Sequence, residues 1–243
     1  MRIRTGLLLF GIVLTGCDAP GADESLAAPP RVVSGSGVIR GTVKFTGAVP
    51  ELKTSQVKCH EGTIDVSDES VVVNDTGTLR NAFVYLEGAA ATGDGSSREA
   101  ALLDQVDCRY VPHAIGVQAG QTLRVRSSDP TLHNVHAIPK ANDEFNFGQQ
   151  PSTPPMTRMF ETPEIGVTFR CDVHGWMRAY ANVVTHPFYA VTKEDGNFEI
   201  KGLPAGTYTI EAWHERLGTQ TQQVTIADGS PNVTAAFTFK PAA

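Results

Sequence analysis

Two short segments of the chain contain the residue types that bind a redox-active metal. Cys171, His174 and Met177 have the spacing Cys-x-x-His-x-x-Met, and His133 lies in an earlier segment. One thiolate and two imidazoles, with a weak axial thioether, form a ligand set typical of electron-transfer copper sites. Three of these ligands come from one short loop, so the fourth must come from a distant part of the chain. His133 is the best-placed candidate for it.

The same segments resemble the cupredoxin, or blue copper, family, and the short ligand loop is most similar to that of the amicyanins. The resemblance rests on the His-Asn-Val sequence at residues 133–135 and on the ligand loop at residues 171–177. Four further segments resemble strands of this family: residues 110–112, 117–123, 160–171 and 181–184. The resemblance covers residues 101–186 and implies a cupredoxin Greek-key sandwich there.

The cupredoxin resemblance also implies a role for each residue of the site. His133, Cys171, His174 and Met177 are the expected ligands of one type 1 copper ion that alternates between Cu(I) and Cu(II). Asn134 is expected to brace the Cys171 loop by hydrogen bonds, because such bonds orient a metal ligand and tune its potential.

The resemblance further predicts how electrons enter and leave. His174 and Trp176 are the expected electron port, and the expected partner is a redox protein such as a c-type cytochrome or a periplasmic dehydrogenase. Copper oxidases and reductases need a further copper with an open position, and the sequence has no second convincing histidine cluster. We therefore expect an electron carrier or binding protein rather than an enzyme, with no catalytic residues.

Residues 1–16 have the features of a bacterial lipoprotein signal peptide. Two arginines precede an apolar run at residues 7–14, which is too short to span a bilayer. The run ends in Leu-Thr-Gly-Cys, which resembles a lipobox and implies a lipid on Cys17. Residues 17–36 are rich in Ala, Pro, Gly and Ser, which predicts a flexible tether. We expect an extracytoplasmic protein, lipid-anchored to a bacterial membrane on its periplasmic side.

The charge balance disfavours nucleic acid as a partner. The whole chain has 20 basic and 26 acidic residues, and the predicted cleavage removes two arginines and no acid. The mature net charge is therefore −8, which does not favour binding to nucleic acid or to anionic lipid. Such a surface suits a basic protein partner.

The remaining cysteines are Cys59 and Cys108. The expected compartment permits disulfides, so we predict that these two cysteines pair. The alternative is a second metal site, because His60 neighbours Cys59 and His113 follows Cys108 closely.

The sequence predicts an all-β protein. Segments rich in Val, Ile, Thr, Phe and Tyr alternate with Gly, Pro, Asn and Asp turns, which is typical of a sandwich or barrel. The strand candidates are residues 37–45, 71–73, 82–86, 122–126, 167–171, 181–184, 208–213 and 233–239.

A second small Ig-like β-sandwich is expected outside the cupredoxin region. Residues 37–47, 191–200 and 202–210 resemble the carboxypeptidase regulatory-like, or transthyretin-like, domains. This sandwich is either split into residues 37–100 and 187–243, with the cupredoxin domain (101–186) inserted, or a separate C-terminal domain behind an N-terminal extension. Insertion at a loop tip is physically tolerated.

Two further classes of function stay open from the sequence. One is a copper-handling lipoprotein that stores or delivers the metal. The other is a ligand-binding or structural β-sandwich lipoprotein without redox activity.

Overall fold

The computed structural model describes residues 35–51, 53–88 and 98–241. The predicted signal peptide, Cys17 and nearly all of the predicted tether lie outside these ranges. Within them, no helix is long and apolar enough to cross a membrane.

The described ranges form eighteen strands. In chain order they are β1 Gly37–Phe45, β2 Thr54–Cys59, β3 Gly62–Ser67, β4 Phe83–Leu86, β5 Ala101–Val106, β6 Arg109–Val111, β7 Ala114–Gln118, β8 Thr122–Ser127, β9 His133–Ile138, β10 Phe145–Gln149, β11 Met156–Met159, β12 Glu164–Arg170, β13 Arg178–Val184, β14 Tyr189–Val191, β15 Asn197–Leu203, β16 Gly206–His214, β17 Gly218–Ile226 and β18 Asn232–Phe239.

The strand candidates of the sequence agree with this arrangement with one exception. In β1 the apolar side chains of Ile39, Val43 and Phe45 are buried, as a strand with one face toward a core requires. The exception is Val71–Val73, which forms no strand. There Val73 makes only an isolated bridge with Leu79.

Two sheets form the first sandwich. One has the order β15-β1-β18, and the other has the order β14-β4-β16-β17. Their shared core includes Ile39, Leu79, Phe198, Ile210 and Phe237. The strands of this sandwich therefore come from both ends of the chain, since β1 and β4 pair with strands that follow residue 188.

Two other sheets, formed by β5 to β13, pack into the second sandwich. Their orders are β10-β9-β12-β13-β7 and β11-β8-β5-β6. The core between them includes Leu123, Val135, Phe160, Phe169 and Val183, all almost fully buried. Two all-β sandwiches agree with the predicted fold class.

Strands β2 and β3 form a hairpin that belongs to neither sandwich sheet. Cys59 at the end of β2 is bonded to Cys108, with an S–S distance of 2.00 Å. The predicted disulfide is therefore confirmed. The alternative four-residue metal site is not formed, because His113 instead contacts Glu215 of the first sandwich.

The two sandwiches contact each other through close backbone approaches. A Cβ at Gly116 of β7 would lie 2.3 Å from a ring carbon of Tyr189 and 2.7 Å from one of Phe83. A Cβ at Gly166 of β12 would lie 2.9 Å from the ring of Trp213. Trp213 thus packs at the boundary between the sandwiches and only partly inside a core.

Candidate metal centre

The strand pairing brings three chain segments to one end of the second sandwich. Strand β9 begins at His133, and β12 ends one residue before Cys171. These strands are antiparallel with Arg170 opposite His136, so His133 faces the loop that follows β12. Met177 directly precedes β13, which pairs with β12 on its other side.

The two histidines present the same ring nitrogen to each other. Nδ1 of His133 lies 2.9 Å from Nδ1 of His174, and Sγ of Cys171 lies 3.9 Å from Nδ1 of His174. Two imidazoles that each bind one ion at about 2.0–2.1 Å have nitrogens about 3 Å apart. His133 is fully buried, so its nitrogen is shielded from bulk water. The donor set therefore fits a copper ion.

Hydrogen bonds fix the thiol of Cys171 and the loop that carries it. Its Sγ accepts the backbone N–H groups of Asn134 and His174, both at 3.3 Å. The loop is closed because Met177 N donates to the carbonyl of His174 at 2.9 Å, and Cys171 N donates to the carbonyl of Met177 at 3.3 Å. Met177 is almost fully buried beside the loop. The assignment of these four residues as ligands stays a prediction.

Asn134 lies where the cupredoxin resemblance predicts a bracing residue. Its Oδ1 accepts the backbone N–H of Asp172 at 2.9 Å, and its own N–H points at the Cys171 sulfur. The side chain of Asp172 turns to Arg170, at 2.9 Å, and to His136, at 3.1 Å. His136 therefore belongs to a polar cluster behind the loop and contacts no predicted ligand directly.

Asp129, which no motif in the sequence indicates, is 6 % exposed and holds the far side of His133. Its Oδ2 lies 2.8 Å from Nε2 of His133 and accepts the N–H of Cys108 at 2.9 Å. Its Oδ1 accepts the N–H of Asp107 at 2.8 Å. The carboxylate thus keeps the proton of His133 on Nε2 and leaves Nδ1 free for a metal. In the sequence, the only indication of this support for His133 is the presence of an acid four residues before it.

Both histidines are kept neutral by their surroundings. Burial lowers the pKa of His133, although its contact with Asp129 opposes this. Burial also lowers the pKa of His174, and the neighbouring His133 lowers it further. Neutral imidazole is the form that binds a metal, so the site is prepared for an ion near neutral pH.

Exposed apolar side chains lie next to both histidines in the sequence. His174 is only 9 % exposed and packs against Trp176, with 5.2 Å between the centroids of the two tilted rings. Leu132, which precedes His133, and Val173, which precedes His174, are 38 % and 52 % exposed. The described part of the chain therefore presents apolar side chains at the predicted electron port, with the histidine itself recessed.

Comparison with known proteins gives one family match. Residues 178–240 match the carboxypeptidase regulatory-like domain, and this match begins at β13 of the second sandwich. It covers the later strands of the first sandwich, as the resemblance of residues 191–210 predicted. No curated protein matches the chain in sequence.

Part of the chain is similar to solved structures of a purple cupredoxin, of amicyanin and of a copper-containing nitrite reductase. A purple cupredoxin from Nitrosopumilus maritimus is 18 % identical, with 34 % of this chain and 98 % of that chain covered and a TM-score of 0.30. An oxidised proline-to-glycine variant of amicyanin is 16 % identical, with 41 % and 97 % covered and a TM-score of 0.32. A copper-containing nitrite reductase from Thermus scotoductus is 16 % identical, with 40 % and 24 % covered and a TM-score of 0.33.

The chain therefore combines a segment that matches the carboxypeptidase regulatory-like domain with a second β-sandwich that groups potential metal ligands at one end.

Proposed function

We propose that this chain is a type 1 copper protein that carries single electrons between redox partners. The observation that carries the proposal is that Nδ1 of His174 lies 2.9 Å from Nδ1 of His133 and 3.9 Å from Sγ of Cys171, at one end of a β-sandwich. Copper bound by such a set supplies a one-electron couple. Met177, which is almost fully buried beside the loop, would be the fourth ligand.

The protein contributes a donor set that is held in place before the metal arrives. Sγ of Cys171 accepts two backbone N–H groups, and the ring of His133 is fixed by Asp129. These supports come from strands and a closed loop, so the ligands keep their positions when the charge on the metal changes. Small rearrangement is what a fast electron carrier requires.

The surface at the ligand loop supports docking of a redox protein. Leu132, next to His133 in the sequence, and Val173, next to His174, expose apolar side chains, and Trp176 packs against the ring of His174. We propose that electrons pass through His174 and Trp176 to a partner such as a c-type cytochrome or a periplasmic dehydrogenase. The acidic balance of the chain favours a basic partner through long-range attraction.

We also propose that the protein is attached to the periplasmic side of a bacterial membrane through a lipid on Cys17. The test is fractionation of cells that express the Cys17→Ser variant. We expect the unmodified chain in the membrane fraction and the variant outside it. A variant that stays with the membrane as fully as the unmodified chain would exclude this anchor.

The copper assignment is tested by adding Cu(II) to the purified protein and recording its visible spectrum. We expect an intense thiolate-to-copper absorption that Cys171→Ser abolishes and His133→Gln strongly weakens or shifts. The matched control is His136→Gln, which changes a buried histidine of the same strand that contacts no predicted ligand. An unchanged spectrum in Cys171→Ser would show that the thiolate is assigned wrongly.

Voltammetry separates an electron carrier from a copper storage or delivery protein. A carrier gives a reversible one-electron wave, with the metal retained in both oxidation states. A storage or delivery protein binds Cu(I) and releases or fails to retain Cu(II). Loss of copper on oxidation would therefore contradict electron carriage and favour metal handling.

A further inference from the structure

The Cys59–Cys108 disulfide lies directly against the predicted copper ligands. Sγ of Cys108 and ring nitrogens of His133 and His174 all lie within 4.8 Å of one another. An ion that binds nitrogen at about 2.0–2.1 Å and sulfur at about 2.3 Å holds the two atoms less than about 4.4 Å apart, so a small inward shift of these side chains lets them share one ion. In the disulfide, Cys108 has no thiolate to offer, because only the thiolate is a metal ligand.

The position of Cys108 does not depend on its bond to Cys59. Its N–H donates to Oδ2 of Asp129 at 2.9 Å, and its carbonyl accepts Nε1–H of Trp176 at 3.0 Å. The preceding Asp107 is held by the same carboxylate. These contacts hold the backbone of Cys108 in place whether or not the disulfide is formed, so its side chain stays within reach of His133.

Cys59, in contrast, lies on a hairpin whose described residues join the core of the second sandwich only through Cys59 and Ile64. Strands β2 and β3 form a separate two-stranded sheet, and most of their side chains are exposed. An isolated hairpin is marginally stable in water, so this one opens locally once the disulfide no longer holds it. Opening moves Cys59 away and leaves Cys108 in place.

We propose that reduction of the Cys59–Cys108 disulfide creates a second form of the metal site, in which the Cys108 thiolate binds together with Cys171, His133 and His174. In this exchange a dithiol reductant is oxidised to its disulfide, while Cys59 and Cys108 each gain one electron and one proton. Cys108 then loses its proton when it binds the metal. The inference rests on the proposed function for three of its four ligands.

The new ligand set has a different metal preference from the first. Two thiolates and two imidazoles in a compact site are typical of tetrahedral Zn²⁺, and a second thiolate also favours Cu(I) over Cu(II). The reduced protein therefore holds its metal more tightly and no longer suits an electron carrier. The disulfide state of the chain selects between these two forms.

A pair of serine variants tests the proposal with Co²⁺ as the probe. Cys59→Ser and Cys108→Ser both remove the disulfide, but only Cys59→Ser leaves a free thiol at Cys108. We expect Cys59→Ser to show about twofold stronger thiolate-to-cobalt absorption than Cys108→Ser, because two thiolates bind instead of one. Equal absorption in the two variants overturns the proposal. If Cys108→Ser and the unmodified protein show no thiolate absorption at all, the proposed function fails instead.

A second measurement uses the unmodified chain and needs no variant to fold. The protein is reduced, loaded with Zn²⁺ and alkylated, and the labelled cysteines are identified by mass spectrometry. We expect zinc to protect Cys108 and Cys171 while Cys59 is labelled. Labelling of Cys108 as fast as Cys59 overturns the proposal. Joint protection of Cys59 and Cys108, with Cys171 labelled, also overturns it and places the zinc at His60 and Asp129, which lie beside those two cysteines.

Discussion

Asp129 holds His133 from behind: the carboxylate oxygen Oδ2 lies 2.8 Å from Nε2 of the imidazole, while Nδ1 of the same ring faces His174. The carboxylate also accepts two backbone N–H groups, from Asp107 and Cys108. One buried side chain therefore sets the tautomer of a predicted ligand and the shape of the turn beside it.

Replacement of Asp129 by Asn is expected to weaken copper binding. The amide has one acceptor oxygen in place of two, so at least one of its three donor partners loses its acceptor. Removing such a support of a metal-bound histidine typically costs 10–100-fold in metal affinity. The affinity is measured by competition with a copper chelator of known strength.

Asp104→Asn is the matched control for this substitution. Asp104 is also buried and also accepts a backbone N–H, from Gln105 at 2.9 Å, but it contacts Arg126 and Ser128 instead of a predicted ligand. We expect it to lower stability and leave copper affinity within about twofold. Equal losses of affinity in both variants would mean that Asp129 acts only through folding.

The ligand loop is easier to predict from the sequence than the residues that surround it. The spacing of Cys171, His174 and Met177 is local, so the loop is readable from the sequence, and the fold class follows from strand composition. The role of Asp129 could not be predicted, because an aspartate in the sequence Ser-Ser-Asp-Pro is typical of a turn in any β protein. Its contact with His133 depends on how the turn after β8 packs.

Long-range contacts could not be predicted from the sequence either. His113 pairs with Glu215, 102 residues later, and nothing local to either residue indicates the partner. The hairpin of β2 and β3 lacks a strong apolar pattern, and most of its side chains are exposed. The disulfide ties this hairpin to the turn beside the site. The number of cysteines predicted the bridge, but it did not show that the bridge lies beside His133 and His174.

The contact between the sandwiches predicts that Gly116→Ala is destabilising. The added Cβ would overlap the rings of Tyr189 and Phe83, and Phe83 is fully buried while Tyr189 is tied to the Gly116 carbonyl at 3.2 Å. Neither ring can move cheaply, so we expect a loss of about 1–3 kcal/mol in the free energy of unfolding. Urea denaturation measures it.

Gly148→Ala separates this clash from the general effect of adding a methyl group to a strand. Gly148 lies in β10, and the nearest atom to its added Cβ is 3.7 Å away, on Leu132. We expect its stability to be unchanged or slightly raised, because Ala restricts the unfolded chain more than Gly does. Similar losses in both variants would argue against a tight contact at Gly116.

The disulfide is expected to stabilise the metal-free protein. It joins residues 49 apart in the sequence, and the loop-closure model gives about 4 kcal/mol for a bridge of that span. We expect a reducing agent to shift the urea midpoint of the unmodified chain downward. The double variant Cys59→Ser, Cys108→Ser is already at the lower midpoint, so the reducing agent should leave it unchanged. A shift of the same size in the double variant would assign the effect to the reagent.

The buried ring of His214 is expected to make the free energy of unfolding depend on pH. Burial lowers the pKa of His214 from 6.5 to about 4, so the folded protein holds this ring neutral. Between these values the unfolded chain binds a proton that the folded chain does not, and stability is therefore lost as the pH falls from 6.5 toward 4. The full difference corresponds to about 3 kcal/mol. We expect His214→Gln to lose less stability than the unmodified chain between pH 7 and pH 4, as measured by urea denaturation.

Phe239→Leu distinguishes this titration from simple loss of packing. The ring of Phe239 lies 6.2 Å from that of His214, so trimming it weakens the same part of the core without removing the titratable group. This variant should be less stable at every pH and keep the pH dependence of the unmodified chain. If the stability of Phe239→Leu depends on pH as weakly as that of His214→Gln, the pH dependence of the unmodified chain comes from packing around residue 214 and not from protonation of His214.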